Sequence, residues 1–395
     1  MRSLAQVTMI GMLTVVLMAY YLPPLAFRFL TVKSGRKRQA PLTLVRLLNT
    51  FLTVVVFLLA MLFTLVFTLL YVPLPPFRKK KYIFHCYIRM LAVLSLKFIP
   101  GIRYTLVNEV GEDFSKPAVY VCNHQSHLDL LPLLALNPKI VVLTKKWVWR
   151  NPLYGLAIRY ADYLPVDNGY DVNLPKFRSL AEQGYSILIF PEGTRSQDCT
   201  IQRFQRGAFT LAKDLGIDIL PLFLHGSGYA MPKMDFALRK ADISLEVGRR
   251  VSADSLCEPL SAVAKEFRQL YVTEYERIRD ERETASYVAP LVRYQYLYKG
   301  TEAKSECRKY LKRSVLNSMD DRLAPELSVR ILNSGCGVFS MLYALCHRHN
   351  QIYAYEKDEE RYLTASLCTA VPANLHYVHW TDDIVPAKAD KEIVL

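Results

Sequence analysis

The chain has 395 residues and a formal net charge of +14, so it is long enough for two or three domains and calls for an anionic partner. Its eight cysteines (Cys86, Cys122, Cys199, Cys257, Cys307, Cys336, Cys346, Cys368) are scattered without a Cys-x-x-Cys pair. That spacing argues against a disulfide framework or a zinc site and suits a reducing compartment.

The N-terminal part decides which anionic partner to expect. Residues 4–22 are apolar apart from Gln6, Thr8 and Thr14, and residues 51–72 are more apolar still, interrupted only by threonines. Each stretch approaches the ~20 residues a helix needs to cross a bilayer. A phospholipid surface is therefore favoured over nucleic acid. A removable leader fits poorly, because the first stretch runs into Pro23-Pro24 with no small-residue cleavage site. Basic residues cluster between the stretches (Arg28, Lys33, Arg36, Lys37, Arg38, Arg46) and again after the second (Arg78, Lys79, Lys80, Lys81). Positive charge belongs on the cytoplasmic side. Two simple spans would put one cluster outside, and a segment that dips into the bilayer and returns would not; both arrangements stay open. Residues 85–99 mix apolar side chains with Arg89 and Lys97, the pattern of an amphipathic helix on the interface.

From about Gly101 short apolar runs alternate with helical stretches. Runs 118–122, 140–144, 186–190 and 219–224 read as strands, rich in Val, Ile, Leu and aromatics. Helical periodicity occupies 127–136, 152–161, 172–183 and 206–215, with Asn151 as N-cap and Pro152 as first helical residue of the second. The alternation predicts an α/β domain over a mostly parallel sheet, with its site at the strand C-terminal ends.

Two loops at such ends carry chemistry. After the first strand stands Asn123-His124-Gln125-Ser126-His127-Leu128-Asp129. His124 is suited to taking a proton near neutral pH, and Asp129, five residues on, is placed to fix its tautomer and stabilise the imidazolium. Ser126-x-x-Asp129 is equally a capping-box spacing in which His124 only closes a turn. After the third strand comes Pro191-Glu192-Gly193-Thr194-Arg195-Ser196. There Gly193 lets the backbone approach a ligand and offers its N–H, while the Arg195 fork suits a phosphate. The bland reading is a turn with a solvated arginine.

Together, in this order, the two loops resemble the glycerolipid acyltransferases of PlsC type, the 1-acylglycerol-3-phosphate acyltransferases. The resemblance covers about 101–250. Lys146-Trp-Val-Trp-Arg-Asn-Pro-Leu-Tyr-Gly155 is similar to that family's second block, and Ile219-Leu-Pro221-Leu222 to its fourth. It implies that His124 deprotonates an acceptor hydroxyl, which then attacks an acyl thioester, with Asp129 orienting the imidazole. It also implies that Asn123, Ser126, Glu192, Gly193, Thr194 and Arg195 hold the acceptor. The donor would be acyl-CoA or acyl-carrier protein, with no further cofactor and no metal. One departure stands out: where the family's second block ends in Gly-x-x-Phe-x-x-Arg, this chain has Asp162, Pro165 and Asn168. A phosphate-binding arginine is thereby lost, with Lys145, Lys146, Arg203 and Arg206 as candidate substitutes.

The ends carry weaker resemblances. The first segment, with Gly11 amid apolar residues and Leu22-Pro23-Pro24-Leu25 at its end, resembles the last membrane helix of an RND/MMPL-type exporter, which implies an exporter as a partner; a plain membrane anchor is the other reading. Toward the C-terminus, 287–313 reads as a linker helix. Beyond it a strand enters Gly335-Cys336-Gly337, a helical stretch follows, and a second strand ends at Glu356, an acidic residue placed as for ribose hydroxyls. This part resembles the first half of an S-adenosylmethionine-dependent methyltransferase, with Asp382-Asp383 toward the adenine side. Asn333 and Phe339 depart from that pattern, and another strand starts at Glu392.

The expected architecture is thus an α/β glycerolipid acyltransferase fold at 101–286, N-terminal membrane helices at 1–100, and a degenerate, partial Rossmann-like region at 287–395. The expected function is membrane-bound O-acyl transfer to a lysophosphatidic-acid-like glycerolipid. The alternatives are a phosphate-free lipid or polyketide-like acceptor, a non-catalytic transport-associated membrane protein, and a methyltransferase. Membrane lipids and the acyl donor are the expected partners, with no nucleic acid. The expected place is a bacterial inner membrane with the catalytic domain on the cytoplasmic face.

Overall fold

A computed structural model describes residues 22–33, 36–37, 40–233, 235, 237–319, 325–381 and 388–395, and positions 9, 12, 14, 15 and 18. Most of the apolar stretch 4–22, Gly11 included, and Asp382-Asp383 lie outside the described residues. Two compact units result, 44–278 and 1–43 with 279–395. The compact units meet at 43/44 and 278/279.

The reason lies in how the first two long helices pack. Helix α1, Leu44–Tyr71, is 28 residues of nearly continuous apolar sequence and is the one described helix long and apolar enough to cross a membrane. Its threonines do not interrupt it: the hydroxyls of Thr50, Thr53, Thr64 and Thr68 donate to the carbonyls four residues earlier. Helix α2, Lys80–Phe98, begins five residues before the amphipathic stretch expected at 85–99 and is two-faced. Phe84, Ala92 and Leu96 are buried, while Ile83, Met90, Leu94 and Phe98 form an exposed apolar stripe. Phe84 joins the main core, and Phe67 and Tyr71 of α1 pack against that core. Both helices thus belong to the unit that holds the site.

That unit is built on a seven-stranded sheet: β1 (Ile102–Val107), β2 (Val119–Cys122), β3 (Ile140–Thr144), β4 (Leu164–Pro165), β5 (Ser186–Ile189), β6 (Ile219–His225) and β7 (Ala241–Val247). The spatial order is β1-β7-β6-β2-β5-β3-β4, parallel throughout except for the β6–β7 pair. β2, β5 and β6 are buried almost throughout, as their continuous apolar runs require. Adjacent parallel strands β2 and β5, in register with Val119 opposite Ile187, bring their C-terminal ends side by side. The last helix of the unit, Leu260–Arg282, lays Tyr271 over the centre, where its hydroxyl donates to Val121 O and accepts from Leu222 N.

Several expected elements move. The helix foreseen at 127–136 is a 3₁₀ turn, His127–Asp129, followed by helix Leu130–Leu136. The helix foreseen from Pro152 begins at Gly155 instead. Asn151 nevertheless makes the bonds of an N-cap, its side chain accepting from Leu153 N and its carbonyl from Gly155 N, so that the turn 152–154 leads into that helix.

The other unit contains a four-stranded, all-parallel sheet: β8 (Ser328–Leu332), β9 (Gln351–Glu356), β10 (Leu375–His379) and β11 (Lys391–Val394), in the order β10-β9-β8-β11. A doubly wound dinucleotide fold orders its first four strands the same way. The expected linker 287–313 is replaced by helices Ala285–Gln295, Gly300–Tyr310 and Arg313–Ser318, which bury Val292, Ala303 and Leu316 in this unit's own core. Its glycine turn is filled from within. Gly335 N–H donates to Glu356 Oε2 at 2.5 Å and Cys336 N–H to Glu306 Oε1 at 2.7 Å. Glu356 Oε1 accepts from Lys357 N and Asp358 N, so the carboxylate expected on a ribose is engaged with its own loop.

Candidate active site

The two motif loops leave the sheet at the C-terminal ends of β2 and β5 and are tied to each other by backbone. Ser196 N–H donates to His124 O at 2.8 Å, and His124 N–H donates to Glu192 Oε1 at 2.9 Å. The other Glu192 oxygen accepts from Gln202 N at 3.2 Å. Glu192 therefore ties two backbone segments, at His124 and Gln202, to its own loop and is turned inward. Burial lifts its carboxyl to about 7, against the two N–H bonds that favour the charged form.

Asp129 is fully buried beneath this bracket. Its Oδ2 lies 2.8 Å from His124 Nδ1 and also accepts from Gln125 N and Ser126 N. Ser126 Oγ in turn accepts from Leu128 N, completing a capping box. The two readings of this spacing are thus the same structure, since the cap immobilises the carboxylate that holds the histidine. A carboxylate only accepts, so Nδ1 is the donor of this pair, and in the neutral imidazole Nε2 is the nitrogen with the lone pair. The Phe190 ring stacks on the imidazole at 4.1 Å and 19° and fixes its plane.

Two further residues expected to touch a substrate also hold the scaffold together, and one of them, Ser126, lines the cleft beside His124 as well. Asn123 is fully buried, and its amide donates to Leu224 O and accepts from Leu224 N, continuing the β2–β6 pairing past the strand end. Ser126 is fully buried as well, donating to Met231 O. Gly193 adopts φ 68°, the left-handed region glycine favours, and its N–H closes a turn onto Phe190 O rather than pointing outward for a ligand.

A cleft of about 840 Å³ opens beside His124. Its polar end carries His124, Thr194, Arg195, Lys145 and Lys233. Its other end is apolar, walled by Val142, Leu143, Phe177, Ile189, Ala208 and Leu211 between the sheet and helices Tyr170–Glu182 and Gly207–Leu215. Arg195 Nη1 is buried with no hydrogen-bond partner among the described residues, and burial lowers that guanidinium's pKa, partly offset by Asp129. His127 lines the cleft, and burial lowers its pKa too, followed by the charges of Arg195 and His124. His225 is buried in the sheet beside Tyr275. Of the four candidate substitute cations, Lys145 lines the cleft, whereas Lys146, Arg203 and Arg206 do not. Lys233 was not foreseen, for it lies 38 residues beyond Arg195 in a stretch with no motif around it.

Comparison with known proteins agrees with this geometry. Residues 102–225 match the family model described as Acyltransferase. This acyltransferase domain contains β1 to β6 and both motif loops. The chain is 35% identical over 162 residues to the 1-acyl-sn-glycerol-3-phosphate acyltransferase LPAT1, chloroplastic, of Arabidopsis thaliana, spanning 40% of this chain and 44% of that protein. It is 30% identical over 141 residues to the 1-acyl-sn-glycerol-3-phosphate acyltransferase alpha of Homo sapiens, spanning 34% of this chain and 50% of that protein. The chain thus spans about half the length of the curated relatives it matches. The crystal structure of the acyltransferase PlsC from Thermotoga maritima shares the fold, with a TM-score of 0.51 at 19% identity over 59% of this chain and 96% of that one.

Proposed function

We propose that this protein transfers an acyl group from a thioester of coenzyme A or acyl-carrier protein to a hydroxyl of a lysophosphatidate-type glycerolipid, at a membrane. The contact of His124 Nδ1 with the buried Asp129, beside a cleft that is cationic at one end and apolar at the other, carries this reading. The activity for which the relatives are named supports it.

In this reading His124 Nε2 takes the proton of the acceptor hydroxyl as its oxygen attacks the thioester carbonyl carbon. Asp129 stabilises the imidazolium that forms. The tetrahedral oxyanion collapses, the C–S bond breaks, and the departing thiolate takes the proton back from His124. A thioester is already activated, so base catalysis of ~10²–10⁴-fold, with positioning, suffices without a covalent enzyme intermediate. Arg195 holds the acceptor's phosphate, its unpartnered nitrogen supplying a charge-assisted bond. The apolar end takes the acyl chain, at about 0.8 kcal/mol per buried methylene. Glu192, Asn123 and Ser126 act through the loops they hold, as positioning residues. Helix α1 and the exposed stripe of α2 supply the attachment to lipid.

The test is acyl transfer by the detergent-solubilised full chain from labelled acyl-CoA and acyl-carrier protein to lysophosphatidate. His124→Ala and Asp129→Asn should each lower kcat by about 10²–10⁴-fold with the fold intact, the second by losing the tautomer. Thioester hydrolysis that depends on His124 but yields no lipid product moves the acceptor to another hydroxyl compound. Turnover indifferent to both substitutions overturns the proposed base.

A further inference from the structure

The polar end of the cleft holds more positive charge than its own carboxylates answer. Lys145, Arg195 and Lys233 line it, and Asp167 is the one acidic residue among its lining, already accepting from Lys146 N. Lys233 in particular has no carboxylate partner among the described residues. Its ammonium donates to Thr194 Oγ1 at 3.1 Å and to Arg195 O at 2.8 Å, both on the loop that bears the Arg195 guanidinium. Two of its three donors are spent holding that loop, and one remains. A half-buried ammonium whose charge no carboxylate answers is better satisfied when an anion joins it, and the guanidinium on the same loop has a buried nitrogen without a partner among the described residues.

The lysine is also held in place from behind. Arg46 of α1 donates to Ala237 O at 2.8 Å and pairs with Asp235 at 3.4 Å, while Thr50 Oγ1 accepts from Leu238 N at 2.9 Å. Arg239 N–H donates to Ala230 O across the base of the same loop. Ser126, next but one to His124, donates to Met231 O just before it. The segment that presents Lys233 is therefore clamped to α1 on one side and to the His124 loop on the other.

We propose that Lys233 is a second cation of the acceptor's phosphate site: it takes one oxygen of a phosphate monoester while Arg195 takes another, and so selects acceptors that carry that group. The inference rests on the function proposed above. Coenzyme A brings phosphates too, but they are separated from its thioester by the whole pantetheine arm. In a glycerol phosphate the reacting hydroxyl and the phosphate sit on neighbouring carbons. An anion bound on the loop that is bonded to His124's own backbone is accordingly the acceptor's.

The experiment compares wild type, Lys233→Met and Lys233→Arg in the detergent-solubilised full chain, with lysophosphatidate and with 1-monoacylglycerol as acceptors. Lys233→Met should raise KM for lysophosphatidate by about 10- to 100-fold, the range for losing a contact between charged groups. It should lower the kcat/KM ratio of lysophosphatidate to monoacylglycerol at least tenfold, and Lys233→Arg should restore much of both. Equal losses with the two acceptors would reduce Lys233 to a brace of the Thr194–Arg195 loop, and a rise confined to KM for acyl-CoA would assign it to the donor; either overturns the proposal. Calorimetric titration with glycerol 3-phosphate separates this idea from the reaction itself. If wild type binds it and Lys233→Met does not, the anion site stands even where no lysophosphatidate is acylated. Indistinguishable binding, or none to either, sinks the site.

Discussion

At the scale of single residues, the sharpest consequence concerns Glu192. An ordinary carboxyl of this kind titrates near 4.5, and burial moves it to about 7. The folded chain then holds the proton more tightly than the unfolded one. Its stabilising contribution is complete below about 4.5 and is lost as pH rises through about 7. A shift of that size corresponds to stability on the order of 3 kcal/mol. Glu192→Gln cannot titrate, and its amide end keeps one acceptor for the two N–H groups. Denaturant midpoints should show wild type losing ground to Glu192→Gln between pH 4.5 and 7.5 by about that amount. Parallel curves would contradict the buried, bracketing role. His124, Asp129, Thr194 and Arg195 were legible as a site because a short polar run follows each apolar strand. The inward turn of Glu192 and Asn123 was not, since which way a loop side chain faces depends on backbone met across the sheet.

At the scale of elements, α1 and α2 do two jobs that their sequences show unequally. The apolar run of α1 is explicit, and at ~1.5 Å per residue its 28 residues exceed a ~30 Å hydrocarbon core. Its N-terminal anchoring through Arg46 is not explicit, because the partners Asp235 and Ala237 lie about 190 residues away. A helix embedded over its length is released by detergent alone, whereas basic segments on a lipid surface come off in salt. Membranes bearing the full chain should keep it in the pellet through high salt and alkaline carbonate and yield it only to detergent. Release by carbonate would make α1 a surface helix. β1 and β7 illustrate the converse failure. They pair over six residues, Ile102 with Ala241 through Val107 with Glu246, yet neither announces itself as a buried strand. Each carries charge, Arg103 and Asp242, which meet in a bidentate exposed pair at 2.6 and 2.8 Å.

At the scale of the whole molecule, two cores are filled by separate sets of side chains. Ile331 of β8 and Ile187 of β5 are each fully buried, one in each core. Truncating a buried isoleucine to alanine costs about 2–5 kcal/mol. Ile331→Ala should therefore raise amide exchange in β8 to β11 while His124-dependent thioester turnover persists, and Ile187→Ala should abolish that turnover. Loss of turnover in both variants would make the two cores one cooperative unit. Multidomain chains do not unfold in one step as a rule, so exchange by segment is the informative measurement here.

The sequence by itself determined what local rules can carry. The apolar length of α1, the strand–helix alternation of the acyltransferase domain, the two loops that bear His124–Asp129 and Gly193–Arg195, and the glycine turn before Val338 all follow from periodicity and residue type. Only the tertiary structure decided that β2 and β5 lie side by side, that Glu192 faces inward, that Lys233 enters the cleft, and that Glu306 fills the turn of Gly335 and Cys336. The physical reason is common to all four. Each depends on a partner dozens of residues distant, chosen by burial and hydrogen-bond satisfaction across the fold, and no local pattern encodes where such a partner will be.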